Sequence, residues 1–271
     1  MHGISNDYVY VDAFVTKVAD APTVAQKVSD RRTGIGGDGL ILICQSDTAH
    51  ARMEMYNADG SRGKMCGNGI RCVGKYVYDH GLVRANPLKI DTDTGVKTLF
   101  LELKDGKVSR VTVDMGEPIL DGPSIPVAAK GQVINQPLEV GGKSYLVTCV
   151  STGNPHCVTF VDAVEPLELE KIGPKFEHHA FFPDRVNTEF IQVVSPTELN
   201  MRVWERGSGE TWACGTGACA AAVAAVLNDK AGRRVTIHLR GGDLEIEWRA
   251  EDNHMYMTGP AEEVFEGTIE I

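Results

Sequence analysis

Alternating apolar and polar residues, typical of strands, fill most of this chain, and the pattern occurs twice. Residues 98–116 (TLFLELKDGKVSRVTVDMG) predict a hairpin that turns at Asp105-Gly106, and residues 235–248 (VTIHLRGGDLEIEW) predict one that turns at Gly241-Gly242. A helix is predicted ahead of each hairpin, over residues 66–80 (CGNGIRCVGKYVYDH) and 214–230 (CGTGACAAAVAAVLNDK). The pattern therefore predicts an α+β fold made of two similar halves.

Short matches at nearly one offset support an internal duplication. The two Cys-Gly-x-Gly motifs lie 148 residues apart, and residues 3–13 match residues 153–163 at an offset of 150. Several matches in the same order favour two α+β domains, each mostly strands around one central helix. We predict domains over residues 1–115 and 116–260, with a last strand over 261–271 (in EEVFEGTIEI) that returns to the first domain.

Composition narrows the functional classes. The chain has 271 residues, a net charge of −10 and a pI near 5.3, which argues against nucleic acid or an anionic membrane as a partner. No apolar run approaches the roughly 20 residues that span a bilayer, and the N-terminal sequence lacks the features of a signal peptide. We therefore expect a cytoplasmic protein without a membrane partner.

Seven cysteines without any Cys-x-x-Cys pair favour reduced thiols over disulfides or a structural zinc site. For five of them a buried, inert thiol is the simplest interpretation: Cys44, Cys72, Cys149, Cys157 and Cys219. The other two, Cys66 and Cys214, begin the two predicted helices. Backbone N–H groups and the helix dipole favour a thiolate at such a position, and the following glycines let the backbone approach a small anion.

The duplication gives this cysteine pair its functional interpretation. Equivalent positions of two domains related by a pseudo-twofold axis face one another, so Cys66 and Cys214 are expected to converge on one cleft and to act on a substrate from opposite sides. A thiolate and a thiol supply the base and the acid that invert a carbon centre, without metal or cofactor. Two buried structural thiols are the alternative, and the duplicated position argues against them.

Other polar residues carry weaker signals. His156 and Glu205 are candidate orienting groups for the thiols, and Asn6 and Asn57 stand at their duplicated positions. By themselves, Asn6, Asn57, Asn154 and Asn187 are best explained as turn residues. Arg206 is either a surface ion-pair residue or a fork for a carboxylate. The GIGGDG segment, residues 34–39, precedes a predicted strand, which favours a turn over a dinucleotide site.

Six segments together resemble the diaminopimelate epimerase family: MHGISNDYVYVDA, GIGGDGLI, YNADGSRGKMCGNGIRC, TGNPHCV, VNTEFI and WERGSGETWACGTGACA. The resemblance covers essentially the whole chain. It implies two pseudo-symmetric domains, each a strongly curved, mostly antiparallel sheet around a central helix. It also implies cofactor-independent interconversion of LL- and meso-2,6-diaminopimelate, on the route to lysine and peptidoglycan.

The resemblance also assigns roles to individual residues. Cys66 and Cys214 match the catalytic cysteines, and His156 and Glu205 match residues that assist them. The positions that hold the substrate are matched by Asn6, Asn57, Asn154, Asn187, Glu205 and Arg206. The backbone cradles for the α-carboxylate of the substrate are matched by Gly67, Asn68, Gly215 and Thr216. Two departures are Ser5, where glycine is usual, and Gly39, where some members carry a glutamine that touches substrate.

Three alternatives remain open on the sequence. A racemase of the same scaffold could act on another amino acid, although the complete set of Asn57, Asn154, Asn187 and Arg206 favours diaminopimelate. A thiol redox or metal-binding protein is disfavoured by the missing Cys-x-x-Cys spacing, and a non-catalytic amino-acid binder by the retained cysteine pair. The sequence does not decide whether the chain forms a homodimer.

Overall fold

The computed structural model describes residues 1–271 and contains eighteen strands, four α-helices and one short 3₁₀ helix. The α+β class is confirmed. By its internal contacts the chain divides into unit 1, residues 1–114 and 258–271, and unit 2, residues 115–257. The domain boundaries inferred from the duplication stay a prediction.

Unit 1 builds its sheet in the order β3-β4-β5-β7-β8-β9, and β6 pairs with β5 at the side. The successive pairs are parallel, antiparallel, parallel, antiparallel and antiparallel. Its elements are β1 (His2–Gly3), β2 (Asn6–Asp7), β3 (Val9–Asp12), α1 (Ala21–Ser29), β4 (Gly39–Cys44), β5 (Ala51–Asn57), β6 (Arg62–Gly63), α2 (Gly67–Asp79), β7 (Leu88–Asp91), β8 (Lys97–Lys104) and β9 (Lys107–Gly116).

Unit 2 builds its sheet in the order β10-β11-β12-β13-β14-β16-β17, and β15 pairs with β14 at the side. A 3₁₀ helix over Gly122–Ser124 precedes these strands. Its elements are β10 (Gln136–Val140), β11 (Lys143–Ser151), β12 (Pro155–Phe160), α3 (Leu169–Glu177), β13 (Asn187–Ser195), β14 (Glu198–Glu205), β15 (Gly209–Thr211), α4 (Gly215–Leu227), β16 (Arg234–Leu239) and β17 (Gly242–Trp248). The last strand, β18 (Met255–Pro260), begins in unit 2 and ends in unit 1.

The duplication is visible in the topology of the two units. The run β3-β4-β5-β7-β8 has pair senses parallel, antiparallel, parallel, antiparallel. The run β12-β13-β14-β16-β17 has the same senses in the same order. In each run a short side strand, β6 or β15, leads into the long helix, α2 or α4. Both predicted long helices are thereby confirmed.

The two long helices are placed by their apolar residues. Helix α4 carries an Ala-rich run, residues 218–225, in which every side chain is buried. A helix that is apolar on all its sides is enclosed by the rest of the fold rather than exposed on one face. Helix α2 buries the residues of its first two turns, including Ile70 and Val73. In both helices the residue before the first turn is a cysteine, so packing fixes where each cysteine stands.

Helices α1 and α3 cover the other side of each sheet. Asp20 caps α1 by accepting a hydrogen bond from the Thr23 backbone, and Pro22 fits the first turn. The α1 side chains Ala25 and Val28 pack on Leu40 and Leu42 of β4. In α3, a Cβ added at Gly173 would lie 2.2 Å from the indole ring of Trp204, so only glycine allows this approach.

Of the two predicted hairpin turns, the structure confirms one and corrects the other. The turn at Asp105-Gly106 is confirmed, since both residues have positive φ (52° and 79°) between β8 and β9. The second turn is at Arg240-Gly241 instead of Gly241-Gly242, because Leu239 pairs with Gly242. This register buries Leu244 and Ile246, which a shift by one residue would turn to the opposite face.

The predicted strand over residues 261–271 is wrong as regular structure. Only one bridge forms, between His2 and Glu262, and the segment belongs by contacts to unit 1. Val264 and Phe265 are 62% and 65% exposed, so the alternating pattern buries no face that would hold a strand.

Candidate active site

Cys66 is the N-cap of α2. Its backbone is extended (φ −129°, ψ 119°), and its sulfur accepts a hydrogen bond from the Gly69 N–H at 3.3 Å. The thiol donates to the side-chain oxygen of Asn6 at 3.2 Å, and the Asn68 amide reaches the same oxygen at 3.4 Å. The sequence-predicted residues Asn6, Cys66 and Asn68 therefore form one cluster at this helix start.

Asn6 is itself held by an acidic neighbour that sequence reasoning did not single out. The Asn6 amide donates to Asp38 Oδ2 at 2.6 Å, and Arg31 bridges Asp38 and Asp7 at 3.0 and 2.7 Å. Burial raises the pKa of Asp38, while the Asn6 hydrogen bond opposes that shift. This network fixes the amide so that its oxygen faces Cys66.

Cys214 repeats the N-cap geometry at the start of α4. Its backbone is again extended (φ −128°, ψ 103°), and its sulfur accepts from the Gly217 N–H at 3.4 Å. The Thr216 hydroxyl lies 3.5 Å from the sulfur. The residue is 5% exposed. Each Cys-Gly-x-Gly motif thus forms the same local structure, in which the second glycine donates to the cysteine.

The Gly217 N–H at the start of α4 favours the Cys214 thiolate, as expected for a helix start, but other groups act against it. Burial raises the pKa of the Cys214 thiol well above its usual value, and the charges of Glu205 and Glu189 raise it further. Hydrogen bonds from Thr216 and Gly217 act in the opposite direction but are the smaller contributions. Desolvation and two nearby carboxylates outweigh the helix terminus here.

Glu205, the last residue of β14, is an acidic hydrogen-bond partner of Cys214. Its carboxylate accepts a short hydrogen bond from the Thr211 hydroxyl of β15. Burial raises the pKa of Glu205, and hydrogen bonds from Thr211 and Cys214 act against that increase. A carboxyl with a raised pKa beside a thiol is suited to exchange protons with it.

His156 lies fully buried on β12 between two partners. Its Nδ1 lies 2.7 Å from Glu189 Oε1, and its Nε2 lies 2.9 Å from Asn154 Oδ1. Both His156 and Glu189 are 0% exposed. The sequence prediction placed His156 and Asn154 at a site but missed Glu189, because no local pattern signals that this glutamate is buried.

The remaining predicted residues are held in turns. Asn187 accepts a hydrogen bond from the Arg206 backbone N–H at 2.7 Å, and the Arg206 side chain donates to the Asp184 carbonyl at 2.8 Å. Asn57 donates to the Ser61 hydroxyl at 2.9 Å within its own turn. Asn187 and Arg206 are thus brought together, whereas the polar partner of Asn57 is local.

The backbone cradle residues stand in the first turns of the two helices: Gly67 and Asn68 in α2, and Gly215 and Thr216 in α4. The first N–H groups of a helix have no partner within it and attract anions. The carbonyl of Thr216 accepts from the Thr152 hydroxyl at 3.2 Å, which holds the α4 start against the loop after β11.

Gly39, the departure from the usual pattern, is set by packing. A Cβ there would lie 2.1 Å from the Tyr56 carbonyl oxygen and 2.8 Å from the Tyr8 ring. A glutamine at this position does not fit the backbone of this chain.

Elsewhere in unit 1, ligand atoms of three exposed residues, His80, Glu263 and Glu266, lie within 4.8 Å of one another, a spacing that could hold a metal ion.

Comparison with known proteins decides the family. The family model described as diaminopimelate epimerase matches residues 1–120 and 148–264. The chain belongs to the diaminopimelate epimerase family. A diaminopimelate epimerase from Acetivibrio thermocellus is 54% identical over 100% of this chain and 97% of its own length. One from Agathobacter rectalis is 56% identical over 100% and 98%.

Solved structures show the same fold in more distant proteins. A probable proline racemase from Agrobacterium radiobacter K84 is similar with a TM-score of 0.67 and 12% identity, over 96% of this chain and 88% of that one. A hydroxyproline epimerase from Agrobacterium vitis is similar with a TM-score of 0.66 and 13% identity, over 96% of this chain and 87% of that one.

None of the helices in this diaminopimelate epimerase family member is long and apolar enough to span a bilayer.

Proposed function

We propose that this chain is a cofactor-independent epimerase that interconverts LL-2,6-diaminopimelate and meso-2,6-diaminopimelate. The observation that carries the proposal is the repeated N-cap: Cys66 and Cys214 begin equivalent helices, and each accepts a hydrogen bond from the second glycine of its motif. Membership of the diaminopimelate epimerase family supplies the substrate and the isomerase class.

The mechanism is a two-base proton transfer at the α-carbon. One cysteine, as thiolate, removes the α-proton, and the electron pair left on carbon is delocalised into the α-carboxylate. The other cysteine, as thiol, donates its proton to the opposite face, which inverts the centre. The first thiol then holds the substrate's proton and the second is a thiolate, so the pair is ready for the reverse direction.

Charge on the α-carboxylate increases during deprotonation, and helix N-termini suit that charge. We assign its binding to the backbone N–H groups of Gly67 and Asn68 and of Gly215 and Thr216. These groups belong to the first turns of α2 and α4, where preorganised donors need no rearrangement during the reaction.

Two side chains assist the thiols in this proposal. Glu205 lies within hydrogen-bonding reach of the Cys214 thiol, and burial raises its pKa. It can therefore store or return a proton next to that cysteine. His156, held between Asn154 and Glu189, provides a fixed polar group on the same side of the sheet. We assign both to the control of thiol ionisation.

The distal amino-acid end of the substrate needs both charged and amide groups. Arg206 is exposed and suits a carboxylate, and the amides Asn6, Asn57, Asn154 and Asn187 supply donors and acceptors. The backbone of Arg206 is tied to Asn187, so these two act as one element. We further propose that the protein is cytoplasmic. Its mass in solution, measured by light scattering, tests whether it forms a homodimer.

Incubation of the purified, reduced protein with LL-diaminopimelate, without added cofactor, tests the function. Chiral chromatography should show conversion to the meso isomer until an equilibrium mixture forms. L-proline and trans-4-hydroxy-L-proline serve as controls for other substrates of the same fold, and we expect neither to be converted. Conversion of one of these in place of diaminopimelate would assign the scaffold to a different amino acid.

A further inference from the structure

Glu189 is a buried carboxylate that the mechanism above does not use. It lies in the buried N-terminal part of β13 and is 0% exposed. Burial of a charged group is costly unless the group is paired. Its Oε1 accepts from His156 Nδ1 at 2.7 Å, and its Oε2 has no hydrogen-bond partner. A buried carboxylate oxygen without a hydrogen-bond partner is rare, so the presence of a glutamate at this position needs a physical explanation.

Strand register places Glu189 on the face of the sheet that carries the Cys214 cluster. Because His156 pairs with Asn187 in the parallel strands β12 and β13, the side chains of His156 and Glu189 share one face. Glu189 also pairs with Val203, which puts Glu205 on this face as well. Three titratable side chains from three strands therefore point toward the start of α4.

Gly217 shows how close this carboxylate comes to the thiol. A Cβ added at Gly217 would lie 2.6 Å from Glu189 Oε1 and 3.2 Å from Cys214 Sγ, so both atoms border the same small space. Only a glycine lets the carboxylate and the sulfur share it. Glu189 thus contacts the helix start that holds Cys214, as well as the ring of His156.

The duplicated half of the chain shows that packing does not require an acid at this position. At the offset of 148 that relates the two motifs, Ile41 corresponds to Glu189, and Gly69 corresponds to Gly217. A Cβ at Gly69 would lie 2.6 Å from Ile41 Cδ1 and 3.7 Å from Cys66 Sγ. The same space beneath the second glycine is apolar on the Cys66 side and charged on the Cys214 side.

We propose that Glu189 is a positioning residue for the Cys214 half of the site. It holds His156 by its Nδ1 and favours the thiol form of Cys214 over the thiolate. With Nδ1–H donated to Glu189, the His156 ring is fixed and its Nε2 faces Asn154. The negative charge beneath Gly217 opposes a second negative charge on the sulfur. The step itself stays the proton transfer described above, and no further reactant is involved.

Several ionisable groups lie around Glu189. They come from β12, β14 and the start of α4: His156, Cys157, Glu205 and Cys214. Burial raises the pKa of Cys157 well above its usual value, and its side chain belongs to the apolar cluster on the other face of the sheet. Cys157 is therefore separated from the Cys214 cluster. Glu205 acts on Cys214 directly, and His156 acts on Glu205.

The test uses Glu189→Gln, which keeps shape and an acceptor for His156 but removes the charge. The rate of Cys214 alkylation by iodoacetamide is measured as a function of pH by peptide mass spectrometry. Within one variant the accessibility of the thiol scales every rate by the same factor, so the pH at half-maximal rate reports the ionisation of the thiol. We expect the half-point of the profile to move about one unit lower than in the wild type. We also expect kcat to fall about tenfold or more, with little change in KM.

Two further variants make the result decisive. Glu189→Asp keeps the charge and should retain the wild-type half-point, and it also serves if the Gln variant does not fold. Glu198→Gln removes an equal charge from an exposed position at the far end of β14 and should change neither profile nor kcat. An unchanged half-point in Glu189→Gln, or an equal shift in Glu198→Gln, would overturn the proposal.

The kinetic part of this inference rests on the proposed epimerase function, whereas the alkylation profile needs no substrate. Failure of the wild type to epimerise diaminopimelate would remove the proposed function and leave the charge relationship between Glu189 and Cys214 to be judged by alkylation. Wild-type activity with an unchanged alkylation profile in Glu189→Gln would remove the role of Glu189 alone.

Discussion

The Cys66 thiol donates to the side-chain oxygen of Asn6 at 3.2 Å, and the Asn6 amide is in turn held by Asp38. One hydrogen-bond partner of Cys66 is therefore a neutral amide. Cys214, at the equivalent helix start, has Glu205 and Glu189 as charged neighbours. The two copies of the motif thus bring an amide to one cysteine and carboxylates to the other, which suits a pair of thiols that must hold one proton between them.

Replacement of either helix-start cysteine should abolish epimerisation. We expect Cys66→Ala and Cys214→Ala each to lower kcat by roughly a thousandfold or more, because one of the two proton-transfer groups is missing. Cys44→Ala is the control, since Cys44 is a half-buried strand residue with a pKa raised by burial to about 11. Assays of meso-diaminopimelate formation give the comparison, and near wild-type activity in either variant would contradict the account.

Glu205 should destabilise the folded protein when it is ionised. Burial raises the pKa of Glu205, so the folded state binds this proton more tightly than the unfolded chain does. The stability that it contributes is therefore present below the usual glutamate pKa and is lost as pH rises through the raised value. We expect Glu205→Gln to exceed the wild type in free energy of unfolding at about pH 8, with a smaller difference at about pH 5.

Urea unfolding at both pH values measures that difference, and Glu198→Gln controls for loss of a charge. The same Glu205→Gln protein should epimerise roughly a hundredfold more slowly, because Cys214 loses its proton partner. A Gln variant that is less stable than the wild type at the higher pH would show that ionised Glu205 stabilises the fold.

Glu177 should stabilise the turn that carries Glu205 and Arg206. Its buried carboxylate accepts from the Trp204 indole at 2.8 Å, from the Gly207 N–H at 2.9 Å and from Arg185 at 3.2 Å. Glu177→Ala leaves these donors unpaired, and we expect a loss of about 2 kcal/mol in the free energy of unfolding. Glu170→Ala, exposed on the same helix, should cost less than about 0.5 kcal/mol in the same urea titration.

Several parts of the fold and the site could be predicted because local chemistry and tertiary structure agree. The Cys-Gly-x-Gly motifs predict helix starts, and both cysteines are N-caps. The Asp105-Gly106 pair predicts a tight turn because both residues tolerate positive φ. The duplication gave the relation between the two halves, and the strand senses repeat accordingly.

Other features depend on packing that no local pattern contains. Glu189 stands in a strand where an isolated glutamate suggests a solvated face, and only the strand register brings it to His156. The residues after 261 alternate like a strand but find no buried face. The raised pKa of Cys214 could not be predicted from the helix start alone, because burial and two neighbouring carboxylates raise it and the sequence shows neither.

The glycine at position 39 offers a test of the backbone around the site. A Cβ there would lie 2.1 Å from the Tyr56 carbonyl oxygen, and a backbone atom cannot move aside cheaply. We expect Gly39→Ala to lower the free energy of unfolding by about 2 kcal/mol. Gly232→Ala is the matched control, because the nearest atom to its added Cβ is 3.8 Å away. Equal stability of the two variants in urea unfolding would show that β4 and β5 adjust.

The central claim, that two cysteines act as two separate bases, is tested most directly by the deuterium content of substrate and product early in the reaction. Purified, reduced protein is incubated with LL-diaminopimelate in deuterium oxide, and both isomers are analysed by NMR and mass spectrometry. The account predicts meso product with deuterium at the inverted centre, whereas the LL substrate that remains carries none. Product that retains the substrate's own α-proton would show transfer by a single base and would contradict the two-cysteine mechanism.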